Sequence, residues 1–235
     1  MSKKKRPKAQ PPTFKKRVRR LLLMIFAALI VLTVAVVLPF RWVPPPTTAF
    51  MIQERLSGTQ IDYRWVPMTR ISSHAALAVI ASEDQNFFNH WGVDLDAVAD
   101  AIEDNRSRET PRGASTISQQ VVKNLFLWPG HSYLRKGIEV YFTVMMECLW
   151  SKRRILEVYL NIAEMGRGIF GVEAAARRFF QKAAADLNRQ ESATLAAVLP
   201  NPKRMHAKRP SDYVRGRTRQ IVRQMTALGG TRFLD

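Results

Sequence analysis

Residues 21–40 read LLLMIFAALIVLTVAVVLPF, a run with no charged residue. As a helix, such a run is about 30 Å long, the thickness of a bilayer's hydrocarbon core. A cleaved signal peptide has a shorter apolar region and a small-x-small cleavage site, and Pro39-Phe40-Arg41-Trp42 offers no such site. A buried core helix of this length without one charge is uncommon. The run therefore predicts a transmembrane helix over residues 21–41, with Arg41 and Trp42 at the far interface. Thr33 can return its hydroxyl to the helix backbone, and Pro39 falls near the end of the span, where it does little harm.

Charge gives the span a direction. Lys and Arg number 37 against 19 Asp and Glu, a formal net charge of +18. Residues 1–20 hold ten of the basic residues and no acid, a basic tail that stays in the cytoplasm and leaves everything after residue 42 outside it. Residues 42–235 carry only +7. A basic tail alone would also suit nucleic acid, but the anchor that follows it excludes that partner. A single cysteine, Cys148, rules out an internal disulfide framework and a cysteine zinc cage.

Beyond the span, Val43-Pro44-Pro45-Pro46 reads as a stiff spacer. Tyr63 to Pro67 reads as a short strand or an extended arm. Helical patterning starts after Ser72 or Ser73 and recurs at 94–104, 115–124, 134–150, 152–162, 172–180, 190–199 and 211–228. The segment from Asn105 to Gly113 reads as a mobile polar loop. Strand signals are few, so the outer domain, residues 45–230, is expected to be mainly α.

Five stretches carry the chemistry. In EDQNFFNHWG (83–92) two acids follow an apolar helix, whose negative end favours a protonated carboxyl and so makes a better base. GASTISQQVVKN (113–124) sets glycine and hydroxyls before a helix start, a way to aim N–H groups and a lysine at phosphate, although the P-loop spacing is absent. RKGIE (135–139) places Arg135 and Lys136 within one turn of Glu139. KRRILEVYLN (152–161) reads best as a structural helix, and ATLAAVLPNP (193–202) as a core helix stopped by Pro200. Taken singly, each has an ordinary structural explanation as well: a polar helix end, a capped helix, a surface ion pair.

Taken together and in this order, with GVEAAARRFFQK (171–182), they closely resemble the peptidoglycan glycosyltransferase domain shared by bifunctional penicillin-binding proteins and monofunctional biosynthetic transglycosylases. The resemblance covers about residues 45–228. With a short basic tail, one anchor and no room for a transpeptidase domain, the monofunctional form is expected.

The resemblance implies a mainly α, lysozyme-like bilobal fold, with residues around 85–130 in a smaller membrane-facing lobe and Glu83 and Glu139 in the cleft. It implies polymerisation of lipid II into β-1,4-linked glycan, with inversion and release of undecaprenyl pyrophosphate. Glu83 is then the base, and Glu139 the second carboxylate near the leaving phosphates. Lys123 matches the phosphate-contacting lysine, and Ser115, Thr116, Gln119, Gln120 and Asn124 the donor-binding motif, with Arg135 and Lys136 adding charge. Asp84 and His90 are expected to shape the first motif. Where related sequences often carry an arginine eight residues before the second Glu, this chain has His131. Phe180 stands where tyrosine is common.

Two carboxylates beside phosphates make Mg2+ or Mn2+ plausible, with no ligand set readable. The expected partners are lipid II, the growing glycan, the bilayer, and other cell-wall synthesis or division proteins. The expected location is the inner membrane of a Gram-negative cell, single-pass, with the N-terminus cytoplasmic and the catalytic domain periplasmic. Some of Phe87, Phe88, Trp91, Leu125, Phe126, Leu127 and Trp128 are expected to be exposed as a second lipid contact. Rival readings are a glycan-cleaving enzyme, which needs an acid for its leaving sugar, and a membrane scaffold, which needs no Glu83.

Overall fold

The computed structural model describes residues 14–105, 115–130 and 132–234. His131 and the expected polar loop after Asn105 lie outside the described residues. The fold is mainly α, and it is built around two groups of helices that meet at the functional site.

The first helix, α1 (Phe14–Val37), starts ahead of the apolar run and takes in Lys15, Lys16, Arg17, Arg19 and Arg20. Lys and Arg are good helix formers, and nothing there breaks the helix. A 3-10 turn extends it to Arg41, and the whole is long and apolar enough to cross a membrane. Its end is joined firmly to the rest of the molecule. Trp150 Nε1 donates to the Val37 carbonyl at 3.1 Å, and Arg154 donates to those of Phe40 and Val43, each at 3.0 Å. Deeper in the span, Thr33 and Tyr141 share a hydroxyl–hydroxyl bond of 3.0 Å.

There follow α2 (Ala49–Leu56), α3 (Ser73–Glu83), α4 (Leu95–Asn105), α5 (Ile117–Phe126), α6 (Tyr133–Leu149) and α7 (Lys152–Ile162). The chain continues through α8 (Val172–Phe180), α9 (Arg189–Val198) and α10 (Asp212–Ala227). Ser72 caps α3, and every residue from Ala75 to Ala81 is buried, so this helix is apolar all round because it is central. It packs against α9, α10 and α7. α5 packs against α6, α7 and α2 to form the second group.

The expected strand near Tyr63 is β1 (Asp62–Tyr63), and it pairs in parallel with β3 (Ile169–Phe170), which is antiparallel to β2 (Glu164–Gly166). Asn161, at the end of α7, pairs with both the N–H and the carbonyl of Val66, at 2.9 Å each. Gly171 starts α8 at φ +85°, where any side chain would collide with the Asn161 carbonyl. KRRILEVYLN is thus a brace between the anchor, the arm and the core.

Candidate active site

Glu83 is the last residue of α3, and its neighbour Asp84 fixes where that helix end points. The buried Asp84 carboxylate accepts the Ile117 N–H at 3.0 Å and faces His90 Nε2 at 2.9 Å. It therefore ties the end of α3 to the start of α5. Thr116 and Gln119 complete that start as a reciprocal capping box. Thr116 also donates to the Gly92 carbonyl at 2.5 Å. Gly92 has φ +80°, and a Cβ there would lie 2.6 Å from Thr143 Cγ2 of α6. The first two motifs are thereby clamped to each other and against α6.

The half-buried Glu83 accepts a hydrogen bond from Gln120 Nε2 at 2.9 Å. Gln120 is oriented in turn by Tyr159, whose hydroxyl donates to Gln120 Oε1 at 3.0 Å. Among the described residues, no Lys or Arg is within ion-pair distance of Glu83. Burial pushes its carboxyl above the ordinary range, and Gln120, Arg217, Lys123 and Ser82 offset this only in part.

Glu139 has the opposite surroundings. Its side chain is 3% exposed, with Arg135 at 2.8 Å on one oxygen and Lys136 at 2.5 Å on the other. Lys136 also reaches the exposed Ser115 hydroxyl at 3.4 Å, joining the α5 entrance to α6. Lys123 is half-buried, with its amine 5.7 Å from the centre of the Phe50 ring. Burial pulls its pKa down, Glu139 pulls it back up, Arg135 and Lys136 oppose that, and Glu83 adds a smaller upward pull. Lys123 is thus under the electrostatic influence of both carboxylates.

The structure brings Glu83, Gln120, Lys123, Glu139, Arg135, Lys136 and Ser115 into one connected set, with Asn124 half-buried in the last turn of α5. It turns Thr116 and Gln119 inward. Both are buried, and their side chains satisfy the first N–H groups of α5, so they shape the site and do not line it. Sequence reasoning missed Tyr159, hidden in an apolar stripe, and Arg217, one arginine among several in α10.

Among the described residues, the clustered carboxylates are already engaged by protein partners and do not fit a resident metal. Asp84, His90 and Asp94 bring ligand atoms within 4.8 Å of one another. However, Asp94 caps α4 through the Ala97 N–H at 2.9 Å and binds Asn86 at 3.1 Å, while Asp84 is taken up by Ile117 and His90. Both oxygens of Glu139 are occupied by cations. These carboxylates serve as braces and ion-pair partners.

Among the described residues, large apolar side chains are exposed in the segments next to the first and third motifs: Trp91 is 74% exposed, Leu95 75%, Tyr133 99% and Leu134 75%, with Phe88 and Trp128 also exposed. Of the seven residues expected as a second lipid contact, Phe88, Trp91 and Trp128 are exposed, Phe126 is half-buried against the core, and Phe87, Leu125 and Leu127 are buried.

A family model described as Transglycosylase matches residues 51–226. The chain is 51% identical over 228 residues to a protein of Pseudomonas putida named biosynthetic peptidoglycan transglycosylase, covering 94% of this chain and 95% of that one. Proteins of the same name from Rhodospirillum centenum and Pasteurella multocida are similar. The first is 52% identical over 210 residues, covering 89% of this chain and 91% of its own. The second is 49% identical over 238 residues, covering 97% of each.

Proposed function

The chain belongs to the transglycosylase family, and on that premise we propose that it is a membrane-anchored peptidoglycan glycosyltransferase, polymerising lipid II into β-1,4-linked glycan. Glu83 takes the proton of the acceptor 4-hydroxyl as that oxygen attacks the anomeric carbon of the donor. The bond to the pyrophosphate breaks, the centre inverts, and undecaprenyl pyrophosphate leaves. Lys123, Lys136 and Arg135 supply the positive charge that the departing phosphates need.

The observation that carries this reading is the contrast between the two carboxylates. Glu83 is held by an amide and by no cation at ion-pair distance among the described residues, whereas Glu139 is buried beneath two cations. Different partners suit the two acids to different roles. Glu83 is suited to take a proton, and Glu139 to hold Arg135 and Lys136 in place. The cations Lys123, Lys136 and Arg135 favour a phosphate leaving group over glycan cleavage, because a departing sugar needs a proton and a departing pyrophosphate does not.

α1 supports membrane anchoring. By the charge of residues 1–20, we place the N-terminus in the cytoplasm and the catalytic domain in the periplasm, at the inner membrane. Trp91, Leu95, Trp128, Tyr133 and Leu134 supply a second contact with the outer leaflet, where the lipid substrate resides. A divalent cation is assigned no site on the protein and accompanies the pyrophosphate as its counter-ion.

The test is to give the purified full-length protein labelled lipid II and separate the products by size. A ladder of glycan polymers supports the reading. Intact lipid II, or release of fragments from lipid-free glycan, overturns it.

A further inference from the structure

Helix α3 ends at Glu83, so the carboxylate sits at the negative end of the helix dipole, where the last carbonyls must find partners outside the regular helix. One of these carbonyls has a partner from far along the chain. Arg217, in the second turn of α10, donates from Nη2 to the Ser82 carbonyl at 3.2 Å. Its Nη1 donates to Gln220 Oε1 at 3.0 Å, which fixes the guanidinium from behind. The side chain is half-buried, while Arg215, Arg219 and Arg223 of the same helix are exposed. Arg215 is also paired with Asp212 at 2.6 Å. Among the described residues no carboxylate lies within ion-pair distance of Arg217, so its charge is not cancelled locally.

We propose that Arg217 is a positioning residue for the reaction: it ties down the end of α3 and supplies Glu83 with a fixed positive charge that the substrate does not consume. This rests on the reading of Glu83 as the base. The groups that face Glu83 are Gln120 and Lys123 from α5, Tyr159 from α7, Arg217 from α10, and its own neighbours Ser82 and Asp84. Only two of them are cations. Lys123 also faces Glu139 and the proposed phosphate site, so a bound pyrophosphate takes up its charge and brings negative charge towards Glu83. Both changes favour a protonated, inactive base. Arg217 bonds the backbone of α3 and stays in place throughout. Its influence on Glu83 is in the direction that this requires.

The experiment measures kcat/KM for lipid II polymerisation against pH in full-length wild type, Arg217→Gln, Arg217→Lys and Gln220→Ala, with thermal unfolding of each. Without the charge, Glu83 binds its proton more tightly. The acid limb of Arg217→Gln should therefore move to higher pH, with a three- to tenfold loss on the acid side, about tenfold per pH unit of displacement. The alkaline limb should change little, and Arg217→Lys should restore most of the acid limb. An acid limb left in place in Arg217→Gln overturns the proposal, and a uniform loss at every pH overturns it as well. If Arg217→Gln does not fold, Gln220→Ala carries the test, with a smaller shift in the same direction expected and no shift contradicting. Glu83→Gln run alongside separates the two claims, because wild-type polymerisation by that variant would sink the base assignment itself.

Discussion

The hydroxyl of Tyr159 donates to Gln120 Oε1 at 3.0 Å, and this decides which end of the Gln120 amide faces Glu83. With the amide oxygen engaged, the nitrogen must turn to the carboxylate, which it meets at 2.9 Å. Burial, then the negative charges of Glu83 and Asp84, push the Tyr159 phenol well above its usual range, so it remains a donor at every working pH.

Tyr159→Phe should therefore release the amide and leave a buried Oε1 unpaired. We expect a stability loss of about 1–2 kcal/mol. The kcat should fall roughly tenfold with KM for lipid II nearly unchanged, because the group lost orients a base and does not touch substrate. Steady-state kinetics beside thermal unfolding check this, and an unchanged kcat would count against the relay.

The pH profile of kcat/KM should be a bell narrower than ordinary side chains would give. Glu83 must be ionised to act, and burial raises its pKa, so activity falls with acid at a pH above the usual carboxylate range. Lys123 must be charged, and burial lowers its pKa, so activity falls with alkali below the usual lysine range. The acid limb should vanish in Glu83→Gln and the alkaline limb should move in Lys123→Arg.

Glu83 should also cost stability. A carboxyl whose pKa is raised on folding stabilises the folded state below its unfolded pKa, and that contribution is lost as pH rises through the raised value. At neutral pH the folded protein carries the cost of an ionised, half-buried acid. Glu83→Gln should therefore melt higher than wild type at pH 7, and the difference should disappear near pH 4. A lower melting temperature for the variant at pH 7 would contradict this.

Much of this site could be read from the sequence, but with the wrong weight on some residues. The spacing of Arg135, Lys136 and Glu139 announces an ion-pair cluster, yet spacing cannot tell a solvated pair from one with a buried carboxylate. The apolar run before Glu83 predicts α3, and its lack of a polar face is explained only by the helices on its several sides. α5 starts two residues later than its pattern suggests because Thr116 is its cap. The strands Glu164–Gly166 and Ile169–Phe170 are too short to leave a periodic signal. Tyr159 and Arg217 acquire their roles through contacts 39 and 135 residues away, which no local pattern records.

The joint between anchor and domain is a further consequence of long-range contacts. Arg154 holds the carbonyls of Phe40 and Val43 and, at 2.6 Å, the carboxylate of Glu157, which itself accepts the Met68 N–H at 2.7 Å. Arg154→Met keeps the length of the side chain and removes the donors. We expect a loss of about 2–3 kcal/mol in the full-length protein, since these are bonds from a charged group and one leaves an acid without its cation. Unfolding in detergent checks this, and a loss below about 0.5 kcal/mol would mean that the joint is held by packing alone.

The division of labour between Glu83 and Glu139 is the centre of this account. The most direct test is the polymerisation rate of Glu83→Gln on labelled lipid II, together with the affinity of the same variant for lipid II. The account predicts a kcat lower by roughly 10²–10⁴-fold, the usual contribution of a general base, with binding close to wild type because the cations around Glu139 are untouched. Polymer formed at the wild-type rate would contradict it.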